Sequence, residues 1–374
     1  MMKYSMTGAV LVAVLMTTAP AMAQDLDTMP PEELYEVAKT EGSVTVFSLS
    51  SRIARIETAF EAKYPGIDLI GLDITSTKQI ARLEAEQRAE IYAVDVLYLS
   101  EAPVVLRDLL PNGMVTKYVP QRVADQVPAE LQADLLTHRL STRALMYNEA
   151  AYPNGTPIAN LWQLTTDEWR GKVLMEDPSQ RGEALDLLTE ISLRNDEMAE
   201  AYEAQFGTPI IVDDDLEGAG EQFIRDLFNN DLVMVSSSSA LRSAVGDINA
   251  TDPSVGWTTY SAARDNEEEG WALQISNDTV PSAGILFPAL LTIAKNAPNP
   301  AAARLLIDFM MGDDSPTGGP GFEPFYVQGD YAARRTIEDH PDAIPLEDLN
   351  LWTMDPAATG AARARVLDLI LVLQ

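Results

Sequence analysis

Short apolar, β-branched runs alternate along this chain with segments whose apolar residues keep helical spacing. Val44, Val46 and Phe47 form a run long enough for a buried strand and too short for a helix. Ser48, Ser50 and Ser51 follow, and then Ile53, Ile56, Phe60 and Tyr64 recur at helical spacing until Pro65-Gly66 stops the pattern. The stretch therefore reads as strand, serine turn, amphipathic helix. In an open α/β sheet ligands lie beyond the carboxyl ends of strands, and a helix N-terminus offers unpaired N–H groups at the positive end of a dipole. That logic makes the three serines candidate ligand contacts.

The same alternation continues. Pro31 to Thr40 reads as a short helix, Ile67 to Ile74 as a strand, and Lys78 to about Glu90 as a helix capped by Ser76 or Thr77. Ala93 to Leu99 is a strand that ends at Ser100. Leu145 to Tyr147 is strand-like, and WRGKVLMEDP turns into a strand and out through a proline turn. Glu183 to Ile191 and Gly218 to Asn229 are helical, and Leu232 to Val235 is a strand running into Ser236, Ser237, Ser238 and Ser239, with Leu241, Val245 and Ile248 at helical spacing behind. Asp252 to Asp278 reads as loop. Ile285 to Ala294 is strongly apolar, a helix opens at Asn299-Pro300, and Arg363 to Gln374 can form a terminal helix. Strands and helices in this order give right-handed βαβ units and a mostly parallel sheet. A length of 374 residues suits two domains, and the two serine-ended strands suggest two similar halves.

Composition narrows the function. The formal charge is −31, from 57 acidic and 26 basic residues, which excludes nucleic acid and anionic membrane as partners. The carboxylates are scattered and read as a solvated surface. Residues 1–23 carry Lys3, an apolar run from Ala9 to Met16 and the small-x-small end Ala21-Met22-Ala23, the pattern of a secretory signal peptide. No later segment has the roughly 20 apolar residues of a membrane span. With no cysteine there is no disulfide, no thiolate site and no acylated cysteine after the leader, so a periplasmic chain that is not lipid-anchored is expected. The only histidines are His138 and His340, and neither G-x-S-x-G nor H-E-x-x-H occurs. No catalytic residue, metal or cofactor is therefore expected, and a secreted hydrolase using paired carboxylates stands as a remote alternative.

Six segments carry a family resemblance: EGSVTVFSLSSR, FEAKYPGI, ARLEAEQRAEIYAVDV, ALMYNEAAYP, LWQLTTDEWRGKVLMEDP and APNPAAARLLIDFMMGDDSP. In this order, from about Glu41 to Pro316, the chain resembles the periplasmic solute-binding proteins of ABC importers, in the iron(III)-binding-like group of the type 2 periplasmic binding fold. The insertion around Asp265 to Pro281 and the tail from Gly318 onward fall outside the resemblance. It implies an α/β fold of two lobes, each a mostly parallel sheet flanked by helices. Residues 24–144 and 282–374 would form lobe one and 145–281 lobe two, crossing at Leu145 to Asn148 and Ser282 to Leu286. It also implies hinge closure around a ligand, a membrane permease as partner, a monomer, and no chemistry on the ligand.

Members of the group carry ferric ion, thiamine, polyamines, phosphonates or sugar phosphates. Ferric binders use adjacent tyrosines, often with a histidine, and this chain has no Tyr-Tyr pair. It has instead hydroxyls at expected helix starts: Ser48, Ser50, Ser51, Ser100, Ser179, Ser236, Ser237, Ser238 and Ser239. Arg181 stands just before a helix, and the resemblance adds Tyr260 from a post-strand loop. Hydroxyls, backbone N–H groups and an arginine suit a phosphate, phosphonate or carboxylate. The expected ligand is a small anionic organic solute, with ferric ion or a ferric complex next, then polyamine or thiamine. Taken singly, each serine is also an ordinary helix cap contributing about 1 kcal/mol.

Overall fold

The computed structural model describes residues 25–374, so the leader of residues 1–23 lies outside the described residues. The chain enters through α1 (Pro31–Glu41), β1 (Ser43–Ser48), α2 (Ile53–Lys63), β2 (Asp68–Asp73), α3 (Ser76–Arg88), β3 (Val96–Leu99), the turn α4 (Ala102–Val104) and the short β4 (Val115–Thr116). β1 lies between β2 and β3, parallel to both. The strand, serine turn, helix order expected at Glu41 is present. The α3 cap is Thr75, whose side chain accepts from the Lys78 N–H, rather than Ser76 or Thr77. Ser76 is committed elsewhere, 3.0 Å from the Ser100 hydroxyl.

The chain then crosses the molecule on β5 (Leu136–Asn148), a strand of 13 residues. The apolar pattern betrays only its last few residues, because His138, Arg139, Ser141, Thr142 and Arg143 interrupt it, although all five are buried. Beyond it come β6 (Val173–Glu176), α5 (Gly182–Leu193), α6 (Asn195–Phe206), α7 (Ala219–Asn229), β7 (Val233–Val235), α8 (Ser238–Gly246), β8 (Val255–Thr258), α9 (Asn266–Glu269) and β9 (Leu273–Ile275). The region expected to be loop from Asp252 thus holds two strands and a helical turn. β8 escapes a pattern reading because Gly256 and Thr258 flank its single large residue, Trp257.

β10 (Gly284–Ala294) returns antiparallel to β5, pairing Gly284 with Ala144 at one end and Leu291 with Leu136 at the other, with a register shift between Ala289 and Leu290. The chain closes with α10 (Pro300–Met310), α11 (Gly319–Phe322), β11 (Asp330–Ala332), β12 (Leu351–Thr353) and α12 (Pro356–Leu373), whose start is seven residues earlier than the spacing suggests because Asp355 caps it. The sheet order is β2-β1-β3-β10-β5-β8-β6-β7. Read outward from the β10–β5 centre, the two sides match: β3, β1 and β2 on one, β8, β6 and β7 on the other, each trio parallel. The two similar halves exist, but serine-ended β7 is the counterpart of edge strand β2. The counterpart of β1 is β6.

One core packs α1, α2 and α10 around β1, where Phe60 lies 5.5 Å from Phe309 and 5.1 Å from Tyr64 between ring centres. Another packs α5 and α7 against β6 and β8 around Trp162 and Trp257, both 0% exposed. The tail ties into both sides: Arg363 of α12 reaches Glu101 before α4 at 2.8 Å and Asp186 of α5 at 3.0 Å. Gly182 sits close beside this contact: a Cβ there would stand 2.2 Å from the Glu101 carboxyl carbon, so any larger residue would displace the Glu101 side chain.

Candidate functional site

Parallel strands on either side of β5 and β10 point their carboxyl ends at one cleft, which encloses a cavity of about 410 Å³. Ser50 and Ser51 come from the β1–α2 turn, and Asp73, Thr75 and Lys78 from the end of β2 and start of α3. Arg181 and Glu183 follow β6, Ser238, Ser239 and Arg242 follow β7, and Thr259, Ser261 and Arg264 follow β8. The floor is β5 itself. Arg139, Ser141 and Arg143 alternate along it, so the pleat turns all three to the cleft.

Of the residues singled out from sequence, Ser50, Ser51, Arg181, Ser238 and Ser239 line this cavity. Ser236 lines an adjoining hollow with Asp177 and Gln180. Ser48 and Ser100 do not reach the cleft; both are 0% exposed. Ser48 closes its own turn, accepting from the Ser50 N–H at 3.1 Å and donating to the Ser50 carbonyl at 2.9 Å. Ser100 donates to Glu183 at 2.5 Å. Ser179 holds the loop before α5 and lies outside the lining, and Ser237 is the α8 cap, accepting from the Ala240 N–H at 3.4 Å. Tyr260 is buried, its hydroxyl directed at the Asp342 carbonyl 3.4 Å away, while its neighbours Thr259 and Ser261 line the cleft. The first N–H groups of α2 are also occupied: those of Ile53 and Ala54 go to the Ser50 and Ser51 carbonyls.

The dominant feature is one the serine pattern did not reveal. Six arginines and a lysine line the cavity: Arg52, Lys78, Arg139, Arg143, Arg181, Arg242 and Arg264. They are seven of the 26 basic residues of a strongly acidic chain. The available signal was THRLSTR, where Arg139, Ser141 and Arg143 keep strand period inside an otherwise apolar setting. The turn serines serve these arginines. Ser50 accepts from Arg52 Nε at 3.1 Å, and Ser238 accepts from Arg181 at 3.3 Å while donating to Glu176.

Carboxylates hold the guanidiniums in place. Asp330 lies 2.6 Å from Arg139 and 2.8 Å from Arg52, and it accepts from Ser141 at 2.8 Å. Arg143 pairs with Glu176 and stands 4.0 Å from Glu183, and Arg181 lies 3.4 and 3.5 Å from the same two carboxylates. Asp265 is 3.1 Å from Arg264 and 4.0 Å from Arg242. Burial pushes the Glu176 carboxyl up, but Arg143 and Arg181 outweigh it and hold the group down at about 2. Burial works with neighbouring cations on Arg52, Arg242 and Arg264 and lowers all three, which an incoming anion would reverse. Arg139, Arg143 and Arg242 each keep a buried Nε–H without a hydrogen-bond partner, whereas the Arg181 Nε faces the Glu176 and Glu183 carboxylates. Such donors are costly until something accepts from them.

His138 is not available as a ligand. Its Nδ1 is 2.8 Å from the Tyr98 hydroxyl and its Nε2 is 2.9 Å from the Met310 carbonyl, and burial lowers it to about 3, so it stays neutral.

The network makes stability pH-dependent in a stated direction. Glu176 is depressed from its ordinary 4.5 to about 2, so its contribution is complete above 4.5 and fades as pH falls toward 2. Asp186, raised well above its ordinary value by burial, has the opposite sign and does not produce this loss. Between about pH 5 and pH 3 the wild-type chain should lose about 2 kcal/mol through Glu176 that a Glu176→Gln variant does not lose. Urea midpoints at the two pH values measure it; parallel curves would remove Glu176 from the acid response.

No family model and no curated protein matches the sequence. Solved structures do match the fold. Iron-bound HitA from Pseudomonas aeruginosa superposes with a TM-score of 0.66 at 16% identity, over 88% of this chain and 99% of that one. The periplasmic binding protein AfuA from Actinobacillus pleuropneumoniae, with fructose-6-phosphate bound, gives 0.66 at 18% identity, over 87% and 96%. Trichodesmium IdiA (FutA), in complex with iron and citrate, gives 0.59 at 15%, over 89% and 99%.

Proposed function

On the premise that this chain has the two-lobed fold of the type 2 periplasmic binding proteins, we propose that it is the solute-binding component of an ABC importer. In this reading it carries a small dianionic organic solute of phosphorylated or phosphonate type between its lobes. Charge in the cleft carries the reading. Seven cations line it, and five carboxylates accompany them: Asp73 and Glu183 in the lining, and Glu176, Asp265 and Asp330 paired with the arginines. Two positive charges are left over, which a phosphate or phosphonate dianion neutralises. The partnerless Nε–H groups supply donors, and guanidinium forks bind such oxygens in pairs.

Residues 24–144 and 282–374 form lobe one in this reading and 145–281 lobe two, with β5 and β10 as the crossing strands. Closure over the solute excludes water and strengthens every charged hydrogen bond. The site binds, does no chemistry, and hands the solute to a membrane permease from the periplasm.

Polyamines and thiamine are cations and meet an arginine-lined cleft, so they fit poorly. A bare ferric ion also fits poorly, because the lining residues include no tyrosine or histidine. A ferric complex whose outer ligand is a polycarboxylate suits the arginines and is the second reading. A thermal-shift screen of the mature protein against sugar phosphates, phosphonates, thiamine, spermidine, citrate and ferric citrate separates them. At one hundred times Kd a native-state ligand adds about 2.7 kcal/mol and raises the midpoint accordingly. Shifts with organophosphates or phosphonates are expected. A shift only with ferric citrate favours the second reading, and shifts only with spermidine or thiamine overturn the anion site.

A further inference from the structure

We propose that the protein has a second ligand site, for a small amphiphilic monocation, on the reverse face of the crossing strands. The pleat that turns Arg139, Ser141, Arg143 and Phe287 to the anion cleft turns Leu140, Leu286 and Pro288 the other way. A register shift between Ala289 and Leu290 brings Thr137 onto this reverse face as well. Behind the strands these side chains open a cavity of about 690 Å³, within the roughly 300–1,000 Å³ of small-molecule pockets. Leu349, Leu351 and Met354, from the tail that carries the chain to α12, close its far wall.

Two features define the occupant. The wall is aliphatic, with half-buried leucines contributed by strands and tail alike, so the body of the ligand is apolar. Every charged side chain in the lining is acidic: Glu130, Asp134 and Asp355. Glu130 and Asp134 are exposed and form no ion pair among the described residues, so a cationic head is drawn to the mouth and an anionic amphiphile is repelled. Inside, Thr137 is only 3% exposed, and its hydroxyl makes no hydrogen bond among the described residues, which leaves one polar group for the occupant to satisfy. The preference is opposite in charge and polarity to that of the arginine cleft on the other face of the same two strands.

Titration calorimetry on the full mature chain at neutral pH, with octylammonium, butylammonium and octanoate as probes, tests the site. Octylammonium should bind with one-to-one stoichiometry, octanoate should not bind, and butylammonium should bind about a hundredfold more weakly because four fewer methylenes are buried. The exposed double variant Glu130→Gln with Asp134→Asn should keep its melting temperature and lose about tenfold in octylammonium affinity. Butylammonium binding as tightly as octylammonium would reduce the effect to general attraction by an acidic surface and overturn the site. Equal binding of octanoate, or octylammonium affinity unchanged in the double variant, would overturn it too.

Discussion

Replacing Arg143 by methionine is expected to lower the unfolding free energy by about 3–5 kcal/mol and to abolish anion binding. Arg143 is 1% exposed at the centre of β5, pairing with Glu176 and standing 4.0 Å from Glu183. Methionine preserves most of the volume, so the cost is electrostatic: two buried carboxylates lose their shared cation, and Arg181, 23% exposed and 3.4 Å or more from either, replaces it poorly. Breaking one side of a buried pair costs far more than the pair itself contributes, because the remaining charge is stranded. A double variant that also carries Glu176→Gln should regain part of the loss, and this coupling distinguishes stranded charge from altered packing. Urea unfolding of the four proteins measures it. A single-variant cost below about 1 kcal/mol would mean that water already solvates these carboxylates.

Removing Arg242 and Arg264 together should have the reverse signature, an affinity loss of roughly a hundredfold or more with little change in folding. These arginines share one carboxylate, Asp265, at 4.0 and 3.1 Å, and burial together with neighbouring cations lowers both. The ligand-free cleft therefore holds like charges against one another. An anion relieves that repulsion, which is why binding should depend on them more than folding does. The variant Arg242→Gln with Arg264→Gln should melt at or slightly above the wild-type temperature while its affinity for inorganic phosphate, and for the best organophosphate of the screen, collapses. Unchanged affinity would place the anion elsewhere in the cleft and remove β7 and β8 from the site.

Local order was legible wherever one face of an element is apolar. β1 with α2, the α10 helix and the strand β10 all carry runs or stripes that only burial explains, and they stand where the periodicity puts them. Segment order also carried the fold class, because a strand followed by a helix packs back on its sheet in one hand only. Serines at strand ends pointed to the end of the sheet where the arginine-lined cleft opens, yet Ser48 and Ser100 are internal braces and Ser237 is a cap. A serine turn looks the same in sequence whether its hydroxyl meets a ligand or its own backbone.

What the sequence determined by itself is the alternation of elements, the cysteine-free acidic character and the cleft's place at the carboxyl ends of the strands. What only the tertiary structure decided is the arginine cluster. Arg52, Arg139, Arg181, Arg242 and Arg264 are spread over more than 200 positions and belong to five different strand ends or strands. Arg52, Arg181, Arg242 and Arg264 each read alone as ordinary surface residues. The strand period of Arg139 with Ser141 and Arg143 does not by itself say that it faces a cleft, because burial and a counter-charge appear only in the folded chain. The sheet order that makes β6 the counterpart of β1 and β7 the counterpart of β2, on opposite sides of the centre, brings these arginines together, and that order depends on long-range pairing across β5 and β10. Local propensity carries no information about such pairing, because its free energy is gained only when the two halves meet.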